Sequence, residues 1–259
     1  MQPLAQFQQK NVKILFTDID DTLTDSGKLA TNAYAALWQL FESGVKLVPV
    51  TGRPAGWCEM IARFWPVEAI IGENGAFYFM HKNKKMFRHF ATPSAARKEG
   101  RKKLKTLGKE ILTKVPGTAI ASDQFSRLYD LAIDFCEDVP ALPLSKAEEI
   151  KKIFESHGAT AKISSIHVNG WFGDFDKLTM CKIFAEKELG LSPEKLNQVA
   201  AFVGDSPNDE PMFQFFKNSF GVANVRNLAA QMKSLPKFVS PSEGGTGFAE
   251  IAQTLIDLK

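Results

Sequence analysis

A short apolar run that stops on a cluster of carboxylates constrains this chain more than any other feature. Val12 to Phe16, interrupted only by Lys13, reads as a buried strand. It leads into Asp18-Ile19-Asp20-Asp21, three acids in four residues. A fold crowds like charges together where a cation compensates them or where chemistry needs them. Asp18 and Asp20 are two apart, so in an extended chain their side chains share a face and can address one metal ion and one substrate.

The same arrangement, an apolar run ending on polar residues and followed by a helix, then recurs. Ser26-Gly27-Lys28 marks a turn, and Ala33, Leu37, Leu40 and Phe41 recur at helical spacing. They predict a helix capped by Thr31 or Asn32, reaching about Ser43 and ended by Gly44. Val45 to Val50 is a second strand, closing on Thr51-Gly52-Arg53-Pro54. Pro54 suits the first turn of the next helix, which reaches about Phe64. Glu68 to Ile71 and Ala76 to Met80 read as two more strands around Gly72-Glu73-Asn74-Gly75. This rhythm predicts an α/β fold, a doubly wound and mainly parallel sheet with its site at the carboxyl edge of the strands.

The rhythm is lost near residue 81. A strand at Met86–Phe90, a long helix at Ser94–Lys114, a strand at Arg127–Phe135, a helix at Ser145–Ser156 and one or two strands in Ala159–Val168 suggest an α+β insert. Charge marks the same boundary. Between His81 and Val115 twelve Lys or Arg stand against two acids, so this stretch carries +10 of a net +3 and the remainder is acidic. After the insert the first rhythm resumes. A helix runs from about Asp176 to Leu189, stopped by Gly190 and Pro193. A strand at Gln198–Val203 ends in Gly204-Asp205-Ser206-Pro207-Asn208-Asp209. A helix, the strand Ser219–Val222, a short helix near Asn227–Met232, the strand Phe238-Val239 and a last helix after Gly247 complete the chain. The expected division is a core of residues 1–80 and 171–259 with residues 81–170 inserted.

Composition narrows the function classes. No apolar run approaches a membrane span, and the first eleven residues lack a signal-peptide core, so a cytoplasmic protein without membrane contact is expected. Cys58, Cys136 and Cys181 have no metal-like spacing and read as reduced thiols. The lysines of the long helix are scattered around it, with Leu104, Leu107 and Ile111 as its apolar stripe. That is the pattern of a solvated face, and nucleic acid is set aside as a partner.

Asp18/Asp20, Thr51, Lys177 and Asp205/Asn208/Asp209 all fall at strand ends or helix starts, and in this order the chain resembles the haloacid dehalogenase superfamily of phosphotransferases. The first motif of that family, Asp-x-Asp-x-Thr, stands as Asp18-Ile19-Asp20-Asp21-Thr22. The second is Thr51, the third is best matched by Lys177, and the fourth, Gly-Asp-x-x-Asn-Asp, is Gly204 to Asp209. An insert between the second and third motifs, with Glu73-Asn74-Gly75, resembles subclass IIB, whose members carry a mixed α/β cap and include sugar phosphatases and phosphomannomutases. The resemblance implies an aspartyl-phosphate formed on Asp18, with Asp20 as acid and then base. Thr51, Gly52, Lys177 and Asn208 would hold the phosphoryl group. Mg²⁺ would be held by Asp18, Asp205, Asp209 and the backbone carbonyl of Asp20. Arg53, Glu73 and Asn74 are candidate substrate contacts. Phosphoryl transfer needs this kit: an in-line nucleophile, cations on the equatorial oxygens and an acid for the leaving oxygen.

The expected function is therefore Mg²⁺-dependent hydrolysis of a small phosphorylated metabolite, a sugar phosphate first. A phosphosugar mutase is the rival among enzymes. A phosphatase acting on nucleotides or nucleic-acid ends, and a non-catalytic binding protein on this scaffold, are the remaining alternatives.

Overall fold

The computed structural model describes residues 1–164 and 166–259. The chain opens with β1 (Gln2–Pro3), β2 (Ile14–Thr17), a small hairpin of β3 (Thr24–Asp25) and β4 (Lys28–Leu29), α1 (Thr31–Glu42), β5 (Lys46–Pro49) and α2 (Ala55–Phe64). Then come β6 (Ile70–Gly72), β7 (Phe77–Lys82) and β8 (Lys85–Phe90). The insert contributes α3 (Ser94–Lys114), β9 (Ala119–Ile120), β10 (Leu131–Asp134), α4 (Leu144–Ser156), β11 (Thr160–Ile163) and β12 (His167–Trp171). The return supplies α5 (Lys177–Leu189), α6 (Pro193–Val199), β13 (Ala200–Gly204), α7 (Glu210–Phe215), β14 (Asn218–Gly221), α8 (Val225–Leu228), β15 (Phe238–Val239) and α9 (Gly244–Asp257).

The central sheet has the order β1-β15-β14-β13-β2-β5, and every pairing in it is parallel. Both faces are covered, and the period of two along each strand divides the core between them. Leu15, Leu47, Ala201 and Val203 face a layer with α1, α2 and α9, whereas Ile14, Phe16, Val48, Ala200 and Phe202 face one with α5 and α7. A third apolar cluster, from Leu104 to Val168, lies wholly within the insert. There the antiparallel sheet β11-β12-β10-β9 packs under α3 and α4, giving a mixed α/β cap.

Several local expectations change. β6 meets the parallel sheet only through a parallel bridge between Ile71 and Val50; it pairs antiparallel with β7, and β8 joins β7. The turn between them is only Glu73–Gly75, too short for the crossover a parallel pair requires. Gly75, at φ +101°, lies against the backbone of Asp176, where any Cβ would collide, so this turn fixes the start of α5. The strand expected from Arg127 begins only at Leu131, because Arg127 and Asp130 are held in a polar network ahead of it. Pro193 starts a helix, α6, with Ser192 as its cap. Neither Thr31 nor Asn32 caps α1; Ala30 occupies that position. The polar-looking N-terminus carries an edge strand, and Leu4 and Phe7 are buried in the core. The span Ala159–Val168 holds β11 and the start of β12; residue 165 within it lies outside the described residues. Among the described residues no helix is long and apolar enough to cross a membrane.

Candidate active site

Strand register brings the motifs together. Thr17 pairs with Val203 on one side and Pro49 on the other. The next residues of these three strands therefore share one edge of the sheet: Asp18, the Gly204–Asp205 turn and the approach to Thr51. The Asp18 N–H is fixed to the Val203 carbonyl at 2.9 Å. Lys177 arrives from the opposite side as the first residue of α5, whose N-cap Asp176 accepts the Thr179 N–H at 2.6 Å.

Lys177 Nζ lies 3.1 Å from Asp18 Oδ1 and 2.8 Å from Asp209 Oδ1, and all three residues are buried. The second oxygen of Asp209 accepts the N–H groups of Asp205 at 3.1 Å and Ser206 at 3.4 Å, which closes the loop tightly around it. Gly204 leaves the space for this, since a Cβ there would strike the Asp209 carboxylate. Asp205 accepts the Thr22 hydroxyl at 3.0 Å and the Asn224 side-chain amide at 3.1 Å. Thr22, the last residue of the first motif, is thereby a brace between the first and fourth motifs.

Carboxylate oxygens of Asp18, Asp205 and Asp209 lie within 4.8 Å of one another, yet Lys177 is the cation bonded to this cluster. Burial raises the Asp18 pKa to about 7, against the pull of Lys177, with Asp209 and Asp20 adding to the rise. Burial, Asp209 and Asp18 likewise push Asp205 well above the carboxylate range. Lys177 is desolvated too, but Asp18 and Asp209 outweigh that and strengthen its hold on the proton. Three buried carboxylates against one ammonium suit a divalent cation, and an all-oxygen donor set suits a hard one such as Mg²⁺.

Asp20 takes no part in this cluster through its side chain. Its carboxylate turns toward the cap and is held by Arg53, with Nε at 3.0 and 3.1 Å and Nη2 at 2.8 Å. Arg53 Nη2 also donates to Glu137 at 2.9 Å, and its guanidinium stacks on Trp57 at 4.4 Å. Glu137 in turn lies 3.0 Å from His167 Nε2. His167 and Arg53 together hold the Glu137 carboxyl down at a pKa of about 2. A second buried arginine, Arg127, joins Asp123 at 2.9 Å, Asp130 at 3.1 Å and the Gly52 carbonyl at 2.9 Å. Asn169 donates to Asp130 at 2.8 Å.

A narrow cleft between core and cap is lined by Asp18, Asp20, Gly52, Arg53, Arg127, His167, Asn169, Ser206 and Asn208. It adjoins a cavity of about 240 Å³ beside Asp20, Arg53 and Glu137 and another of about 410 Å³ beside Ser164, Ser206 and Asn208. Thr51 is fully buried, and its hydroxyl oxygen accepts the Arg53 N–H at 3.0 Å. Asn208 Oδ1 accepts the Ser206 hydroxyl at 2.7 Å.

Glu73 and Asn74, expected beside the substrate, are not among the residues that line the cleft. The buried Glu73 carboxylate accepts four backbone N–H groups, those of Ala55, Leu128, Tyr129 and Asp130, at 2.6 to 3.2 Å. It ties the cap loop 127–130 to the start of α2. Burial and nearby Asp130 raise its pKa to about 7, while Arg127 and the backbone donors favour the charged form. Asn74 donates its N–H to the Thr51 carbonyl.

Sequence reasoning passed over Arg127, Glu137, Asn169 and Asn224. Two of these had a usable signal. Arg127-x-x-Asp130 puts opposite charges into a run read as a strand with partial alternation, and His167-x-Asn169 places two polar side chains on one face of β12. His89 stacks on Tyr78 and is not in the cleft lining.

No curated protein sequence matches the chain. Among solved structures, a Thermoplasma acidophilum protein is similar at 19% identity and a TM-score of 0.72, covering 96% of this chain and 100% of its own. A HAD/COF-like hydrolase from Plasmodium vivax is similar at 18% identity and 0.70, covering 96% and 97%. The sucrose-phosphatase of Synechocystis, solved with sucrose and phosphate, is similar at 14% identity and 0.65, covering 94% and 98%. These likenesses concern the fold. Sequence decides the family, because residues 15–157 match the haloacid dehalogenase-like hydrolase pattern across more than half of the chain. The chain belongs to the haloacid dehalogenase-like hydrolases, and the mixed α/β cap between its second and third motifs places it in subclass IIB.

Proposed function

We propose that the protein is a Mg²⁺-dependent phosphatase that hydrolyses a small phosphomonoester, a sugar phosphate, through an aspartyl-phosphate on Asp18. One observation carries this reading: Asp18, held by Lys177 at 3.1 Å, lines the cleft between core and cap together with Asp20. In the first step an Asp18 oxygen attacks phosphorus, the bond to the substrate oxygen breaks, and Asp20 gives that oxygen its proton. In the second, Asp20 takes a proton from water, which attacks phosphorus and releases Asp18 and phosphate. Lys177, the Thr51 hydroxyl, the Gly52 N–H and Asn208 hold the phosphoryl oxygens. Asp18, Asp205, Asp209 and the Asp20 carbonyl would hold Mg²⁺, which neutralises charge on the phosphoryl group when bound. Arg53 holds the Asp20 side chain at the cleft.

Residues 81–170 act as the cap over this core, excluding water and touching the leaving group. Glu137, His167, Asn169 and Arg127 offer the acceptors and donors that hydroxyl groups need. The fold is shared with a sucrose-phosphatase and with a protein related to trehalose-6-phosphate phosphatase, which supports a sugar phosphate as substrate. A panel of phosphorylated metabolites with Mg²⁺, read as inorganic phosphate, tests the proposal. Release from one or more sugar phosphates is expected. Isomerised sugar with little free phosphate identifies a mutase instead, and no turnover of any phosphomonoester overturns the enzyme reading.

A further inference from the structure

The loop that follows β5, from Thr51 to Ala55, is tied down from behind by the turn after β6. The Thr51 N–H donates to the Ile71 carbonyl at 2.9 Å, and the Thr51 carbonyl accepts the Asn74 N–H at 3.0 Å. The Arg53 carbonyl accepts the Glu73 N–H at 3.2 Å, and the Ala55 N–H donates to the Glu73 carboxylate at 3.0 Å. The Arg53 N–H turns back onto the Thr51 hydroxyl oxygen. Gly52 stands outside this set. Among the described residues nothing accepts its N–H, and Gly52 lines the cleft beside Asp18. A backbone donor left open inside a fold is rare unless something outside the chain completes it.

The Gly52 carbonyl is held from elsewhere, by Arg127 Nη1 at 2.9 Å. Gly52 lacks a Cβ, so its backbone restrains itself least in this loop, and the outside bond matters most there. Arg127 is well placed to supply it. Its guanidinium is almost fully buried and is itself immobilised. Nε and Nη2 donate to the two oxygens of Asp123 at 2.9 and 3.2 Å, and Nη1 donates to Asp130 at 3.1 Å. The segment carrying it belongs to the insert but is fixed to the core. Glu73 accepts the N–H groups of residues 128–130, and the Tyr129 ring packs in the core between Phe90 and Phe175. A planar fork with its other donors held delivers the remaining one in a single direction, which the point charge of a lysine cannot do.

We infer that Arg127 is a positioning residue of the phosphate-binding loop: its bond to the Gly52 carbonyl, made from within the insert, aims the open Gly52 N–H at an oxygen of the phosphoryl group beside Asp18. The identity of that group rests on the phosphatase reading. This role is independent of the donor that Arg127 offers to a leaving group. Its loss weakens the hold on the phosphoryl group by the same factor whatever alcohol the substrate carries.

Titration of the full chain with inorganic phosphate and Mg²⁺, followed at the Gly52 amide by proton–nitrogen NMR, tests this without turnover. In the parent the Gly52 resonance is expected to shift and saturate. Arg127→Lys keeps a positive charge between Asp123 and Asp130 but removes the fork. It is expected to raise the phosphate dissociation constant about tenfold, the worth of one hydrogen bond to a charged group. It also lowers turnover of two phosphomonoesters with unlike leaving groups by one common factor. If Arg127→Lys loses its folded spectrum, Asp123→Ala replaces it: the arginine stays, one side of its fork is freed, and a smaller loss of phosphate affinity is expected. A parent whose Gly52 amide ignores phosphate, a folded variant that binds phosphate as tightly as the parent, or turnover losses that differ with the leaving group overturn the inference. The phosphatase reading fails separately, in a parent that binds phosphate at Gly52 yet releases none from any phosphomonoester; the role of Arg127 then stands.

Discussion

The two walls of the cleft treat charge in opposite ways. On the core wall, Asp18, Asp205 and Asp209 are buried around one lysine, so negative charge is in excess and Asp18 is raised to about 7. Where the cap meets the core, Arg53 from the core and Arg127 from the cap are each shared among carboxylates at hydrogen-bond distance, and Glu137 is held down at about 2. The first wall is unbalanced at the place where we propose that a cation and a phosphoryl group bind. The second satisfies its own ions and thereby holds the cap against the core.

Asp18→Asn tests this contrast hardest. It removes the nucleophile and lowers phosphate release by about 10³-fold or more. It also relieves repulsion in the core wall, so the metal-free variant melts at a higher temperature than the parent. A lower melting temperature breaks the contrast. Chelation of divalent metal comes next: turnover falls to background, and adding Mg²⁺ back raises the melting temperature of the parent because the ion binds only the folded chain. If Mg²⁺ leaves the melting temperature unchanged, the excess charge is not a metal site. Asp20→Asn is expected to cost about 10²–10⁴-fold in turnover, as loss of a general acid does. Here the folded protein persists, as shown by an unchanged circular dichroism spectrum.

Glu137→Gln acts on the balanced wall and lowers stability instead. Its depressed pKa makes its contribution fully present above the ordinary glutamate value of 4.5 and lost as pH falls through about 2. The melting-temperature gap between parent and variant therefore narrows below pH 4.5 and closes near pH 2. A gap that widens with acid reverses the assigned sign. Asp21→Asn has the smallest effect. Asp21 is not among the three carboxylates of the cluster, and its loss is expected to cost far less turnover than loss of Asp18 or Asp20. Equal losses at all three positions erase the distinction between the walls.

Legibility in the sequence followed the same division. The core wall was readable because its residues sit at strand ends and helix starts, where apolar periodicity and capping chemistry fix their place. Lys177 is an example: the helix expected from about Asp176 puts it at a helix start, and the resemblance to the family singles it out there. Glu73 shows the limit. Its motif was visible, but its four backbone partners come from Ala55 and from residues 128–130, distant in sequence and in irregular backbone.

The sequence by itself determined the parallel α/β core, the presence of an inserted cap, and the four acidic, hydroxyl and lysine elements along one sheet edge. These depend on local periodicity and on the rule that parallel strands present their carboxyl ends together. Only the tertiary structure decided that Arg53 is shared between Asp20 and Glu137, that Thr22 and Asn224 brace Asp205, and that Glu73 anchors the cap. Each of those is a bond between single polar side chains and partners remote in the chain. Such pairs have no period and no local propensity, so packing alone selects them.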